Sequence, residues 1–374
     1  MGLLNLGNKE NKTKKLVSKS IENYIRLSTK ELDLELEPLK DRINKCKGIV
    51  VFPEALYYYP IDRPQHILRV FAKRGYLCFF CVDSDSTVSF KEIEPNLFIV
   101  RDQGRLLPLI KDKRVLFLIT YFLQYIFAKM VQDRIIWFDV MGHLEKYQYY
   151  NNYSIGIYKE IMNEARIATY RHEEYKNYYE GVRDNIILMK DGIMLDDFVN
   201  NNNIIPNDLR KYLFMNKKVL GYFGKIDKNL DFDLIKKLDE KNIYAIILVG
   251  AADDPTLIKE HGLRNTYILP EKEYQMLKYY ICNFDIVILP FKQNINHELY
   301  FKALASSAGL KKIISYYHEE LSSLNLPNLS FAKDAIEFVE LLEQKLNEKD
   351  YNLSNNILSV IHNYSWDNVV NSIL

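Results

Sequence analysis

The chain has 374 residues, with 50 Lys and Arg against 49 Asp and Glu. Hydrophobic residues make up 48% and charged residues 26%, which fits a globular protein and excludes mostly disordered, collagen-like and heptad-repeat chains. The length suggests two domains, and a formal charge of +1 removes the simplest case for bulk nucleic-acid binding, which needs a basic surplus.

Residues 1–45 are charge-rich. Met1–Lys30 has no apolar h-region, so no signal peptide is expected. Ser20–Lys45 shows a loose helical pattern at Ile21, Tyr24, Ile25, Leu32, Leu34, Leu39 and Ile43. This stretch reads as a polar helical extension leading into a core, with a partner-binding arm as the alternative. The core begins at Gly48–Pro53, a short β-branched run ending at a turn signal, and so a buried strand. Asp62-Arg63-Pro64 then opens a helix over Gln65–Arg74, with Asp as the cap and Pro near its start. Tyr76–Val82 is the next strand. It contains a CxxC, Cys78 and Cys81, in an apolar run with no second pair at zinc-ligand spacing, so both read as buried thiols. Further strands are expected at Leu97–Val100, Val115–Tyr121 and Arg134–Val140. Val115–Ala128 is the most membrane-like stretch, yet its fourteen uncharged residues fall short of the roughly 20 that a spanning helix needs. A cytoplasmic location follows, with peripheral contact at the inner face of a membrane left open.

Asn200–Asn203, with Pro206 after it, is the linker candidate. The pattern then restarts, with strands at Val219–Gly224, Ala245–Gly250, Thr266–Leu269, Asp285–Pro290 and Lys312–Ser315 and helical stretches between them. Strands alternating with helices imply parallel βαβ units. Two such domains are expected to face each other across a cleft. Ligands of open α/β sheets bind beyond the carboxyl ends of the strands, where helix N-termini favour phosphate. Gly221-Tyr222-Phe223-Gly224-Lys225 is such a strand-to-helix turn. Gly224 permits close backbone approach, and Lys225 supplies a point charge. An ordinary tight turn is the competing reading. No HExxH, GxSxG or paired metal-ligand cluster is present, and the seven His are scattered.

Several segments, in order, resemble the GT-B glycosyltransferases of the family 4 type. They are Asp62–Leu68, Trp137–Val140, Glu164–Thr169, Lys190–Phe198, Gly221–Ile226 with Asp231, Asn283–Phe291 and Tyr364–Asp367. Together they span about residues 48–374. The resemblance implies the GT-B fold: an N-terminal Rossmann-like acceptor-side domain over 46–200, joined by 355–374 as a returning C-terminal helix, and a nucleotide-sugar domain over 210–350. It implies transfer of a sugar from a nucleotide sugar to a glycan, lipid-linked or protein-linked acceptor, in bacterial surface polysaccharide synthesis. It also implies retention of configuration, no cofactor and no required metal.

On this resemblance Gly224, Lys225, Pro290, Phe291, Glu298 and Lys302 are the expected donor-binding residues. His143, Asp139 and Glu298 are the candidate catalytic residues. Asp62, Arg63, Gln65 and His66 fall on the acceptor side, with an interface salt bridge as the plainer role for Arg63. The sequence departs from the family at three places, one of them the Ser307–Ile313 turn, which is longer than the family's and lacks its Pro. Lys302 stands where a Glu usually hydrogen-bonds the donor ribose, and Glu298, one helical turn earlier, either takes over that role or pairs with Lys302. Gly142 and His143 stand where a second strand-end Asp is usual. These departures motivate the alternative of a catalytically inactive GT-B-like scaffold or regulatory partner.

Overall fold

The computed structural model describes residues 2–28, 37–82, 90–198, 204–254, 256–291, 298–348 and 352–374. The Asn200–Asn203 linker candidate lies outside them. The chain divides into two compact units: unit 1 is Met1–Lys190 with Val370–Leu374, and unit 2 is Asp191–Val369. Of the tail expected to join the first domain, only Val370–Leu374 groups with unit 1. Among the described residues no helix is long and apolar enough to cross a membrane.

Unit 1 is built on strands β1 (Ile49–Ala55), β2 (Leu77–Val82), β3 (Phe90–Glu94), β4 (Leu97–Arg101), β5 (Val115–Ile119), β6 (Arg134–Val140), β7 (Ile167–Tyr170) and β8 (Ile187–Leu188). Their order is β3-β4-β2-β1-β5-β6-β7-β8, and every pair is parallel except β3 with β4. All six residues of β2 are buried, as expected of a strand covered on both faces. Cys78 and Cys81 are therefore interior, unbridged thiols, and burial pushes the Cys81 thiol well above its usual pKa. The strand order reverses at β1, so β1 and β5 flank a topological switch point.

The N-terminal extension is an integral wall of unit 1. Thr13, Val17, Tyr24 and Leu27 of the Gly2–Ser28 helix are buried. Asn151 donates to the Thr13 hydroxyl at 2.7 Å, and the Tyr24 ring meets Phe127 edge-on. A Cβ on Gly104 would come within 2.9 Å of the Tyr24 backbone, so glycine is needed for the helix to lie this close. The helical pattern of the sequence begins only at Ser20, so it leaves out Thr13 and Val17 of the buried stripe, and its Leu32 and Leu34 lie outside the described residues.

Unit 2 is an all-parallel sheet of β9 (Lys218–Phe223), β10 (Tyr244–Val249), β11 (Thr266–Leu269), β12 (Ile286–Leu289), β13 (Lys312–Tyr316) and β14 (Leu329–Ala332). Its order, β11-β10-β9-β12-β13-β14, is the doubly wound order, with the switch point between β9 and β12. Gly221 lies within β9 because the Phe284 ring packs where a side chain would stand; a Cβ there would lie 2.0 Å from the ring.

Candidate functional site

The switch point of unit 2 gathers most of the expected donor-side residues. Gly224 follows β9 directly, with φ +121°, a conformation that only glycine adopts without strain. A Cβ there would lie 2.5 Å from Lys302 Cε and 2.6 Å from its Nζ. Gly224 N–H already donates to Val249 O at 2.9 Å, so this glycine contributes space and not a donor. Gly250, at the end of β10, lets the Gly224 backbone pack against it, since a Cβ there would fall 1.9 Å from Gly224 O. Lys302 comes from the Glu298–Ala308 helix, is only 3% exposed, and holds its ammonium 5.8 Å from the Tyr222 ring centre and 6.0 Å from that of Phe291. An ammonium in a region of low dielectric, with aromatic faces beside it, acts more strongly on an anion than one in water.

Pro290 and Phe291, both buried, follow β12. Asp231 N–H donates to Pro290 O at 2.7 Å and ties the two strand ends together. The Asp231 carboxylate caps the Phe232–Glu240 helix through Leu234 N–H and accepts from the Tyr316 hydroxyl at 2.8 Å. Its place in the motif is thus architectural. His318, which the sequence offered no reason to single out, is buried and hydrogen-bonded to the Phe291 backbone; burial holds its imidazole below the usual pKa.

Lys225 sits differently from Lys302. It is exposed and pairs with Asp253 at 2.8 Å and Asp227 at 3.7 Å, and the Asp253 contact raises its pKa. The side chain of Glu298 and the loop 292–297 lie outside the described residues.

In unit 1, the expected acceptor-side and catalytic residues separate into two sets. Arg63 and Asp139, both fully buried, bind each other: Arg63 Nη1 lies 3.2 Å from each Asp139 oxygen, and Nη2 donates to Met189 O at 2.5 Å. Thr169 donates to Asp139 Oδ1 at 2.7 Å, and Trp137 Nε1 donates to the Thr169 hydroxyl at 2.9 Å. Three of the resembling segments thus meet in one interior network. His66 is also buried. His143 is one-third exposed, with Nδ1 3.2 Å from Glu145 and its ring 5.2 Å from Tyr175, so it belongs to a surface cluster and not to that network.

Asp62 and Gln65 instead reach a cavity of about 740 Å³ inside unit 1, beyond the carboxyl ends of β1 and β5. Asp62 caps the Arg63–Lys73 helix, and Gln65 donates to Tyr58 O at 2.5 Å and so pins the adjoining loop. Glu54 enters the same cavity and had no signal in the sequence. It lies in a β-bulge of β1 with φ +54°, and its position depends on a pairing register visible only in the fold. Among the described residues no group of three or more His, Cys, Asp or Glu is placed to hold a metal ion.

No family model matches the chain, and no curated protein matches it in sequence. Its architecture is nevertheless similar to solved structures. HepE of Anabaena in complex with UDP shares 12% identity at a TM-score of 0.59, over 87% of this chain and 98% of that one. Sucrose-phosphate synthase from Thermosynechococcus elongatus shares 12% at 0.57, over 87% and 97%. The α,α-trehalose 6-phosphate synthase of Burkholderia multivorans shares 11% at 0.55, again over 87% and 97%. The chain has the GT-B fold of these proteins, a likeness of architecture over nearly its whole length.

Proposed function

We propose that the chain is a glycosyltransferase that binds a nucleotide-sugar donor in unit 2 and passes the sugar to an acceptor held by unit 1. The observation that carries this reading is the buried Lys302 ammonium set against Gly224 at the β9/β12 switch point. Doubly wound sheets bind nucleotides at that crevice, and a cation there offsets diphosphate charge in the ground state and on the leaving group. Gly224 lets the Lys302 ammonium approach the turn, Gly250 lets the Gly224 carbonyl pack against β10, and Pro290 and Phe291 form the neighbouring wall. The bound UDP in the similar HepE structure supports a nucleotide donor. Lys302 supplies the charge in this reading, with no resident metal, so turnover is expected to survive chelation by EDTA. Lys225 becomes an outer contact only if it leaves Asp253. Arg63 and Asp139 hold the N-terminal sheet ends in position, and the reacting acceptor belongs to the neighbouring cavity. Family 4-like retention, a surface-polysaccharide pathway and a cytoplasmic site of action complete the reading.

A second reading has its own observation. Lys302 replaces the usual ribose-binding Glu and fills the space in front of Gly224, which favours a non-catalytic relative. Calorimetry on the full chain with UDP-, GDP-, dTDP- and CMP-sugars decides the first point. One donor is expected to bind, and more weakly after Lys302→Met. No binding to any donor would overturn the proposal. A donor-hydrolysis assay then separates enzyme from scaffold, since turnover excludes the scaffold.

A further inference from the structure

The cavity of unit 1 has a chemistry that narrows the ligand. Its wall contains Glu54, Asp62 and Asp102, and among the described residues lining it there is no Lys, Arg or His. Apolar residues make up much of the rest, together with six tyrosines, of which Tyr57 and Tyr59 are 69% and 54% exposed and Tyr24, Tyr121, Tyr147 and Tyr149 are less so. Desolvation pushes the Tyr147 hydroxyl up to about 12, so it remains a neutral hydrogen-bond donor at physiological pH. Arg171 bonds to Asp62 at 3.3 Å but does not itself line the cavity.

The usual uncharged means of binding an anion are also taken. The helix Arg63–Lys73 points its N-terminus here, but the Asp62 carboxylate accepts from Arg63 N–H at 2.8 Å, and Pro64 has no N–H to offer. At the start of the Phe122–Ala128 helix, Gln124 Oε1 accepts from Thr120 N–H at 2.6 Å and from Tyr121 N–H at 2.9 Å. The start of the first helix is therefore satisfied by the Asp62 carboxylate, and Gln124 takes the two N–H groups just ahead of the second.

Glu54 is held on two sides. Its N–H donates to Gln103 Oε1 at 2.9 Å, and Gln103 Nε2 donates back to Glu54 Oε1 at 2.7 Å. Its backbone is left-handed, a strained conformation that persists only where the surroundings impose it. A carboxylate fixed in this way accepts hydroxyl protons well, while tyrosine rings present apolar faces and phenol edges.

We infer that this cavity binds a saccharide face bearing hydroxyls and no phosphate or carboxylate, with Glu54 as a hydroxyl acceptor and Tyr57 as a stacking platform at the mouth. The inference rests on the glycosyltransferase reading, since it names the class of acceptor. A sugar phosphate entering here would meet Glu54 and Asp102, with Asp62 paired to Arg171 and no Lys, Arg or His among the described residues of the wall, and Coulomb repulsion disfavours it.

Saturation-transfer NMR and calorimetry on the full chain test it, using methyl glycosides of glucose, galactose, mannose and N-acetylglucosamine against glucose 6-phosphate. At least one glycoside is expected to bind, with glucose 6-phosphate weaker by about tenfold or more, the effect of losing or opposing one charged hydrogen bond. Tyr57→Ala, at an exposed position that does not threaten folding, and Glu54→Gln, which keeps the shape, are each expected to weaken the glycoside by roughly tenfold. Equal or tighter binding of glucose 6-phosphate, no binding by any glycoside, or unchanged affinity in both variants would overturn the inference. A nucleotide titration of the same sample separates the two claims. Nucleotide binding without saccharide binding sinks only this inference, whereas saccharide binding without nucleotide binding sinks only the donor assignment.

Discussion

The two units set their buried basic side chains against different surroundings. Arg63 in unit 1 is fully interior and is neutralised where it stands by Asp139 and Met189 O, so its charge never reaches the nearby cavity. Lys302 in unit 2 is almost as deeply buried, but its ammonium lies against a glycine turn at the switch point. Both sheets present a switch point beyond their strand ends, and the side chains around each give them opposite electrostatic characters. One is acidic and tyrosine-lined, the other cationic and glycine-lined. The same architecture can therefore hold a hydroxylated ligand in one unit and an anionic one in the other. A function read from the fold alone would miss this division.

The largest effect that would break the comparison is expected at Asp139. Asp139→Ala leaves the Arg63 guanidinium buried with its ion-pair partner gone, which costs about 3–5 kcal/mol. Urea unfolding should show this loss, while nucleotide affinity measured on folded protein stays unchanged. A large drop in nucleotide affinity with stability intact would show that Asp139 serves the donor and not the interior. Lys302→Met comes next. It removes a charged contact worth about 1.5–3 kcal/mol, so nucleotide binding should weaken by roughly 10- to 100-fold. Unchanged affinity would end the contrast between the two switch points. Thr13→Val is smaller again. Asn151 loses its acceptor on the N-terminal helix, at a cost of about 1 kcal/mol read by thermal unfolding. No change would mean that the helix is a loosely held cover.

Much of the fold was legible because its signals are local. Apolar runs such as Arg134–Val140 and Ala245–Gly250 became strands at nearly the expected bounds, and Asp62 capped the expected helix. The strands missed, Phe90–Glu94, Ile187–Leu188 and Leu329–Ala332, lie at sheet edges. There, half-exposed residues lose the continuous apolar run that marks a buried strand. The candidate site was less legible. Trp137, Asp139, Thr169 and Arg63 were found by motif, but the motif did not say that they bond to one another. That depends on contacts across 76 residues of sequence. Glu54 had no motif at all, because its exposure to the cavity comes from a bulge, and a bulge is a property of pairing between strands. Lys302 appeared in the sequence as a departure from the family's pattern. Its meaning changed once Gly224 was seen to leave the space that its ammonium fills.

Lys225 is the residue for which sequence and structure differ most in emphasis, and it sets the smallest of these effects. By position alone it follows Gly224 and seemed the natural cation for a diphosphate. In the structure its ammonium faces solvent and is shared between Asp253 and Asp227. An exposed pair of this kind contributes little, because solvent screens it and ordering two long side chains offsets the attraction. Lys225→Ala should therefore leave nucleotide affinity within about threefold, the range of a surface ion pair. That small effect should shrink further at high salt. The result is informative only beside Lys302→Met. A large effect at Lys302 and a small one at Lys225 places the working charge inside the unit. The reverse order would mean that Asp253 releases Lys225 when a nucleotide arrives, and that Lys302 supports the turn by filling space.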